Sequence, residues 1–166
     1  KVLAQINILK KKFPNTLLYE KIQILLAKSL ESVKKKEDAI NILIETEKRL
    51  LDFSKTSESR SYLPEINFYL GHLYQQTEKN NEAYNRYRSL HIFYPTHELT
   101  QLAKLEMHKL AKQLDIDIKP LTISEHEQRM NGLLSDVQSQ QIVIEITELF
   151  KKQSPLPGKF YFYLAK

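Results

Sequence analysis

Cysteine is absent from the 166-residue sequence, and glycine and proline are scarce, with three and six residues. Without cysteine the chain can form no disulfide, no cysteine-ligated zinc site, no iron–sulfur cluster and no thiol nucleophile. So few glycines argue against a turn-rich β-sandwich and against a glycine loop that cradles phosphate. No apolar run approaches the roughly 18 residues that a membrane span needs, so the sequence predicts no membrane-spanning helix.

The residues that are present have the composition of a globular protein. Hydrophobic residues make up 42% and charged residues 27%, which argues against wholesale disorder. Lys and Arg total 25 against 20 Asp and Glu, and the net charge of +5 permits an anionic partner without requiring one. The chain has no initiator Met, and residues 160–166 are apolar without a stop signal. We therefore expect a piece of a longer protein, with a further C-terminal domain as one of its partners.

Apolar residues recur at helical spacing along nearly the whole chain. The clearest series are Ile22, Leu25, Leu26 and Leu30, then Ile40, Leu43, Ile44 and Leu50, and then Leu99, Leu102, Ala103, Leu110, Ala111 and Leu114. No stretch alternates with the two-residue period and the composition of a strand. The pattern predicts an all-α chain of about seven or eight helices of 10–18 residues, joined by short turns that make neighbours antiparallel.

Polar or proline-containing breaks separate the predicted helices. They lie at residues 13–15, 33–37, 54–61, 77–81, 94–96, 115–123 and 154–158. Ser124 and Glu127 form a capping-box pattern, which predicts the start of a helix after the sixth break. Asn131-Gly132 is open to two interpretations, an exposed glycine within a helix or a loosening of that helix.

Residues 64–97 form a 34-residue segment with a spaced pattern of small and large residues. Its members are Leu70, Gly71, Tyr74, Ala83, Tyr87 and Pro95. This segment resembles the tetratricopeptide repeat in residue type and in spacing. We expect the small residues to lie where paired helices approach most closely, the large ones to fill the space between helices, and the proline to end the second helix. A weaker copy lies 44 residues earlier, with Ala27, Leu30, Ala39 and Leu43 at the corresponding places.

The resemblance to tetratricopeptide repeats implies a right-handed solenoid of antiparallel helix pairs. In this interpretation residues 1–114 form the repeats and residues 115–123 a linker. Residues 124–166 add a further helix pair and the start of a truncated helix to the same solenoid.

The last third of the chain is similar to a second group of proteins. A Pro120-Leu121-Thr122 linker leads into a helix with Glu125, Arg129 and the Leu133-Leu134 pair. This order resembles the non-catalytic superhelical region of soluble lytic murein transglycosylases. The resemblance implies a periplasmic or cell-envelope location and peptidoglycan as a partner, whereas the composition alone also suits the cytoplasm.

The sequence predicts no active site, metal or cofactor in this chain. In lytic transglycosylases a catalytic Glu-Ser pair precedes a Gly-Leu-Met-Gln-like segment, and neither Glu31-Ser32 nor Glu58-Ser59 has such a segment. The five histidines lack the spacing of a metal site. The basic runs 10–12 and 34–36 lie at helix ends without interleaved aromatics, so we interpret them as solvated turns rather than contacts to nucleic acid.

The resemblance to tetratricopeptide repeats places a ligand groove on the first helix of each pair. The predicted groove residues are Lys21, Lys28, Phe68, His72, Gln75 and Gln76. We expect Phe68 to offer the most stacking area. The resulting hypothesis is a non-catalytic helical scaffold or binding segment of a cell-wall-associated protein, namely a lytic transglycosylase whose catalytic domain lies outside this chain. The alternative is a free-standing adaptor that binds a peptide of another protein in its groove.

Overall fold

The computed structural model describes residues 2–12, 17–52, 62–135, 138–152 and 155–165. Within these ranges the chain is all-helical and contains no strand, which confirms the predicted fold class. Eight helices have 11 to 17 residues, as the sequence predicts, and a ninth has six. The helices are α1 (Val2–Lys12), α2 (Leu17–Ser32), α3 (Lys36–Asp52), α4 (Leu63–Gln76), α5 (Asn80–Phe93), α6 (Leu99–Gln113), α7 (Ile123–Ser135), α8 (Ser139–Lys152) and α9 (Lys159–Leu164).

Helices that are adjacent in the chain pack against one another. The α2 helix packs on α1 and α3, α3 also packs on α4, and α7, α8 and α9 pack together. The chain forms two compact units, residues 1–87 and 88–166, and the division falls within α5. The right-handed sense of the solenoid and the domain boundary at 115–123 stay predictions. The breaks at 13–15 and 54–61 lie outside the described residues.

The core of the first unit follows the predicted 44-residue spacing. Ala39 and Ala83 are both 0% exposed, and Leu43 and Tyr87 are 0% and 1% exposed. Of the other proposed repeat-core residues, Leu70 and Gly71 are buried, whereas Tyr74 and Pro95 are half-buried. The α5 helix ends at Phe93, just before Tyr94-Pro95.

The turns that end α2 and α4 have the same hydrogen bonds. Lys35 N donates to Leu30 O at 2.9 Å and Lys34 N to Glu31 O at 2.8 Å. The bonds from Lys79 N to Tyr74 O (2.9 Å) and from Glu78 N to Gln75 O (3.2 Å) repeat this pattern 44 residues later. Both turns are Schellman motifs, which satisfy the last carbonyls of a helix.

A third turn of this kind ends α6, and none of the three uses glycine. Lys34, Glu78 and Asp115 occupy the left-handed position with φ of 63°, 61° and 52°. A side chain at this position costs about 1 kcal/mol or more because its Cβ crowds the following carbonyl. The chain therefore retains small strains at the ends of three helices.

Glu78→Gly is expected to raise the free energy of unfolding by about 0.5–1 kcal/mol, because glycine relieves the left-handed strain. Urea unfolding followed by circular dichroism measures the change. The matched control is Glu82→Gly, which places glycine within the first turns of α5 and should lower stability by up to about 1 kcal/mol. Equal destabilisation by both variants would contradict the strain argument.

The start of α7 corrects the predicted capping box. Helix α7 begins at Ile123, and the capping pair is Thr122 with Glu125 rather than Ser124 with Glu127. Thr122 N donates to Glu125 Oε2 at 2.7 Å, and Glu125 N donates to Thr122 Oγ1 at 3.2 Å. The Glu125 carboxylate is held in place by Arg88, whose Nε and Nη2 lie 3.2 and 3.0 Å from its oxygens. Glu127 instead pairs with Lys159 of α9.

Gly132 lies within an uninterrupted α7, so the helix does not loosen at this point. A Cβ at Gly132 would lie 2.7 Å from Pro95 Cδ and 3.2 Å from the Phe93 carbonyl oxygen. The glycine therefore permits a close approach between α7 and the end of α5, and it is half-buried rather than exposed.

Candidate functional site

A cluster of polar side chains connects α2 with α4 in the first unit, with Glu31 at its centre. Gln76 Nε2 donates to Glu31 Oε1 at 2.7 Å, and His72 Nε2 lies 3.3 Å from the same oxygen. The Tyr69 hydroxyl donates to Glu31 Oε2. We call Lys28, Glu31, Glu65, Tyr69, His72 and Gln76 the Glu31 cluster.

An ion pair and two aromatic contacts complete the cluster. Lys28 Nζ lies 2.9 Å from Glu65 Oε1 and 5.7 Å from the centre of the Tyr69 ring. The Tyr69 and His72 rings are stacked, with centroids 6.0 Å apart and planes 19° apart. Lys28 and His72 each keep nearly half of their side-chain surface exposed, so the arrangement is accessible to a ligand.

The hydrogen bonds keep the Glu31 carboxyl in its charged form. Partial burial opposes ionisation, but hydrogen bonds from Tyr69, Gln76 and His72 outweigh it and hold the pKa of Glu31 below its usual value. Burial and the adjacent carboxylate raise the pKa of Tyr69 above its usual value. At neutral pH Glu31 is therefore an ionised acceptor and Tyr69 a protonated donor.

The structure brings together only part of the predicted groove. Lys28, His72 and Gln76 belong to the Glu31 cluster, whereas Lys21 is exposed on α2 and takes no part in the bonds to Glu31. Phe68 is half-buried rather than exposed, and its ring centroid lies 5.6 Å from that of Tyr87.

Gln75 accepts a hydrogen bond from the Tyr87 hydroxyl at 3.3 Å, so it also turns toward α5. Phe68 and Gln75 therefore support the packing of α4 on α5. Tyr69 was not among the predicted groove residues, although the spacing of Glu65, Tyr69, His72 and Gln76 places all four on one helix face.

A second polar cluster lies in the unit of residues 88–166. Arg129 of α7 donates from Nε to both Glu145 oxygens at 2.9 Å, and its Nη2 lies 2.8 Å from Oε1. Its Nη1 donates to the His91 carbonyl oxygen at 2.5 Å and lies 3.3 Å from His91 Nδ1. The Arg129 and Glu145 side chains are 11% and 15% exposed, so this ion pair is largely removed from water.

The surroundings of His91 disfavour its charged form. Burial, together with Arg129 and Lys104, lowers the pKa of His91 to about 4. Burial also lowers the pKa of His126 on α7. Both histidines are therefore neutral at physiological pH, and neither matches a metal site: the described residues contain no group of three His, Asp or Glu that could hold an ion.

Acid is expected to destabilise the second unit. The unfolded chain protonates His91 near its ordinary pKa of 6.5 and the folded chain only near 4, so stability falls as pH drops through this window, by roughly 1–3 kcal/mol. The free energy of unfolding measured between pH 7 and 4 tests the effect, and His91→Gln should flatten much of the slope. A steep slope that His91→Gln leaves unchanged would assign it to other groups.

The basic run at residues 34–36 lies between the end of α2 and the start of α3. Lys34 and Lys35 are exposed in the turn after α2, and Lys36 Nζ lies 3.4 Å from the Gln76 carbonyl oxygen. Glu58 lies outside the described residues. None of the described helices combines the length and the apolar composition that crossing a lipid bilayer requires.

Comparison with protein-family models, curated proteins and solved structures yields no match.

Proposed function

We propose that the chain is a non-catalytic helical scaffold and binding segment of a cell-wall-associated protein, and that the Glu31 cluster contacts peptidoglycan. The observation that supports this proposal most is the cluster itself. It holds an ionised carboxylate, a lysine, an amide and two stacked rings on one accessible face of α2 and α4. The resemblance to lytic transglycosylases implies that the catalytic domain lies outside this chain.

The state of Glu31 supports a binding role rather than a catalytic one. Cleavage of a glycan requires a carboxyl group that can carry a proton to the leaving oxygen. The hydrogen bonds to Glu31 stabilise its charged form and lower its pKa, which opposes that role. A fixed acceptor of this kind suits the hydroxyl, amide and ammonium groups of a ligand.

The chemistry of the cluster matches a polymer that carries both sugars and short peptides. The stacked Tyr69 and His72 rings offer a flat surface to a sugar face, and Lys28 offers a cation to a carboxylate. The same ion pair, Lys28 with Glu65, also suits the two charged ends of a free peptide. The peptide-binding adaptor therefore remains the second candidate function.

Co-sedimentation with insoluble peptidoglycan tests the proposal. We expect the chain to sediment, and Lys28→Glu to weaken binding at least about fivefold because it reverses a charge within the cluster. The matched control is Lys21→Glu on the same helix, which lies outside the cluster and should have a smaller effect. Phe68→Ala should lower stability rather than binding, since Phe68 packs on Tyr87.

No sedimentation, or equal effects of Lys28→Glu and Lys21→Glu, would reject the peptidoglycan contact at this cluster. A peptide array is the parallel experiment. Peptide binding that depends on Lys28, without binding to peptidoglycan, would favour the adaptor.

A further inference from the structure

The outer face of α6 is apolar at its centre and basic around it. Leu102 is 45% exposed and Leu105 is 60% exposed. Lys104, Lys109 and Lys112 are exposed around them, and the one acid of this fully described helix, Glu106, is half-buried. We call these two leucines and three lysines the basic α6 face.

The outer face of α3 has the opposite charge. Ile44 is 38% exposed and Leu51 is 56% exposed. Asp38, Glu45 and Asp52 are exposed on the same helix, against a single exposed lysine at position 48. We call Asp38, Ile44, Glu45, Leu51 and Asp52 the acidic α3 face.

We infer that a second copy of this chain docks its acidic α3 face onto the basic α6 face. The two helices have 17 and 15 residues, so their lengths of about 25 and 22 Å match. Each face carries two exposed aliphatic side chains, whose contact would remove apolar surface from water. The surrounding charges are of opposite sign, which aligns the two copies and favours their encounter.

Charge also selects this pairing over the alternatives. Two α6 faces together would bring lysines against lysines, and two α3 faces would bring acids against acids. Val143 and Ile144 on α8 form another exposed aliphatic pair, but that helix presents both signs to solvent. Its Glu148 is 54% exposed beside Lys151, whereas Glu106 beside Lys109 on α6 is 20% exposed. That surface therefore has no preference for an acidic or a basic partner.

The pairing joins two different surfaces, so each copy keeps one α3 face and one α6 face for further partners. Two copies close a dimer where both α3–α6 contacts form at once, and otherwise such contacts form rings or open chains. Two single helices bury less than the roughly 1,200 Å² of a stable interface, so association should be weak, concentration-dependent and sensitive to salt. Neither face contains a residue of the Glu31 cluster, and the inference does not depend on the proposed function.

Sedimentation velocity from about 10 µM to about 1 mM tests the inference with two charge-reversed variants. The first, Lys109→Glu with Lys112→Glu, makes the α6 face acidic. The second, Glu45→Lys with Asp52→Lys, makes the α3 face basic. We expect the unmodified chain to associate at low salt, and each variant alone to associate at least about tenfold more weakly.

An equimolar mixture of the two variants should associate again, because every α3–α6 contact between unlike copies then joins opposite charges. The control is Lys151→Glu on α8, which should leave association unchanged. Lys151 pairs with Glu148 as Lys109 pairs with Glu106, and the two lysine side chains are 66% and 69% exposed. A chain that stays monomeric, variants that associate as the unmodified chain does, or a mixture that fails to associate would overturn the inference. Salt-sensitive binding to anionic vesicles by a chain that remains monomeric would assign the α6 face to a lipid surface and would also overturn it.

Discussion

Arg129→Met is expected to lower the free energy of unfolding of residues 88–166 by about 3–5 kcal/mol, one of the two largest effects that we predict. The guanidinium makes bonds to both Glu145 oxygens and to the His91 carbonyl oxygen, in a site where little solvent reaches it. Removal of Arg129 leaves the Glu145 charge desolvated and without its cation, while the Gln141 amide still donates to Oε1 at 3.1 Å. Thermal unfolding, with hydrogen exchange of the α7 and α8 amides, measures the loss.

Two further variants test whether pairing is the cause. Lys151→Met removes an exposed ion pair with Glu148 and should change stability by less than about 0.5 kcal/mol. Arg129→Met combined with Glu145→Leu removes both buried charges and should recover a large part of the loss, since no unpaired carboxylate remains. A loss below about 1 kcal/mol for Arg129→Met alone would show that Glu145 is solvated in the folded protein.

Gly71→Ala is expected to destabilise residues 1–87 by about 1–3 kcal/mol through overpacking. The added Cβ would lie 2.6 Å from Cε1 and 2.9 Å from Cζ of Tyr87, a residue that is 1% exposed and has little room to move. Urea unfolding followed by circular dichroism gives the change in free energy. The same substitution should not alter the Schellman turn at Glu78, which lies beyond the end of α4.

A double-mutant cycle identifies the contact that is responsible. Tyr87→Leu removes the ring, so Gly71→Ala should cost much less in that background. The control is Gly158→Ala, where nothing lies within 4 Å of the added Cβ and stability should change little. An equal cost for Gly71→Ala with and without the Tyr87 ring would mean that α4 and α5 approach differently from the structure described.

The helices and several of their ends could be predicted because those signals are local. The four-residue apolar series of α3 predicts a helix and its buried face, and three of its members are buried, whereas Ile44 is 38% exposed. The 44-residue shift predicted Ala39 and Ala83 as equivalent small residues, and both are fully buried. Helical period and the demands of close packing act over one or two turns, so a single sequence displays them.

The partners of polar side chains could not be predicted in the same way. Ser124 with Glu127 and Thr122 with Glu125 both satisfy the capping-box spacing. The choice between them depends on Arg88, 37 positions before Glu125 in the chain, because its bonds hold that carboxylate at the start of α7. No property of residues 122–127 alone distinguishes the two pairs.

At the candidate site, too, the sequence indicates the helices but not the partners of their side chains. From the sequence, Glu31 belongs to an incomplete Glu-Ser motif, and Phe68 is the expected ligand-contacting aromatic. In the structure Phe68 packs on Tyr87, and Tyr69 and His72 contact Glu31. A one-residue step along a helix turns a side chain by about 100°, so the packing of α4 between its neighbours decides which aromatic meets which partner.

By itself, the sequence determined an all-helical chain, the approximate helix ends, and the small residues at positions where helices approach closely. Only the tertiary structure decided that Glu31 is held in its charged form, that Gly132 accommodates Pro95, and that Arg129 bridges Glu145 and His91. The physical reason is the range of the forces involved. Helix formation and amphipathic period are properties of neighbouring residues, whereas charge state and close approach depend on groups that packing brings together from distant parts of the chain.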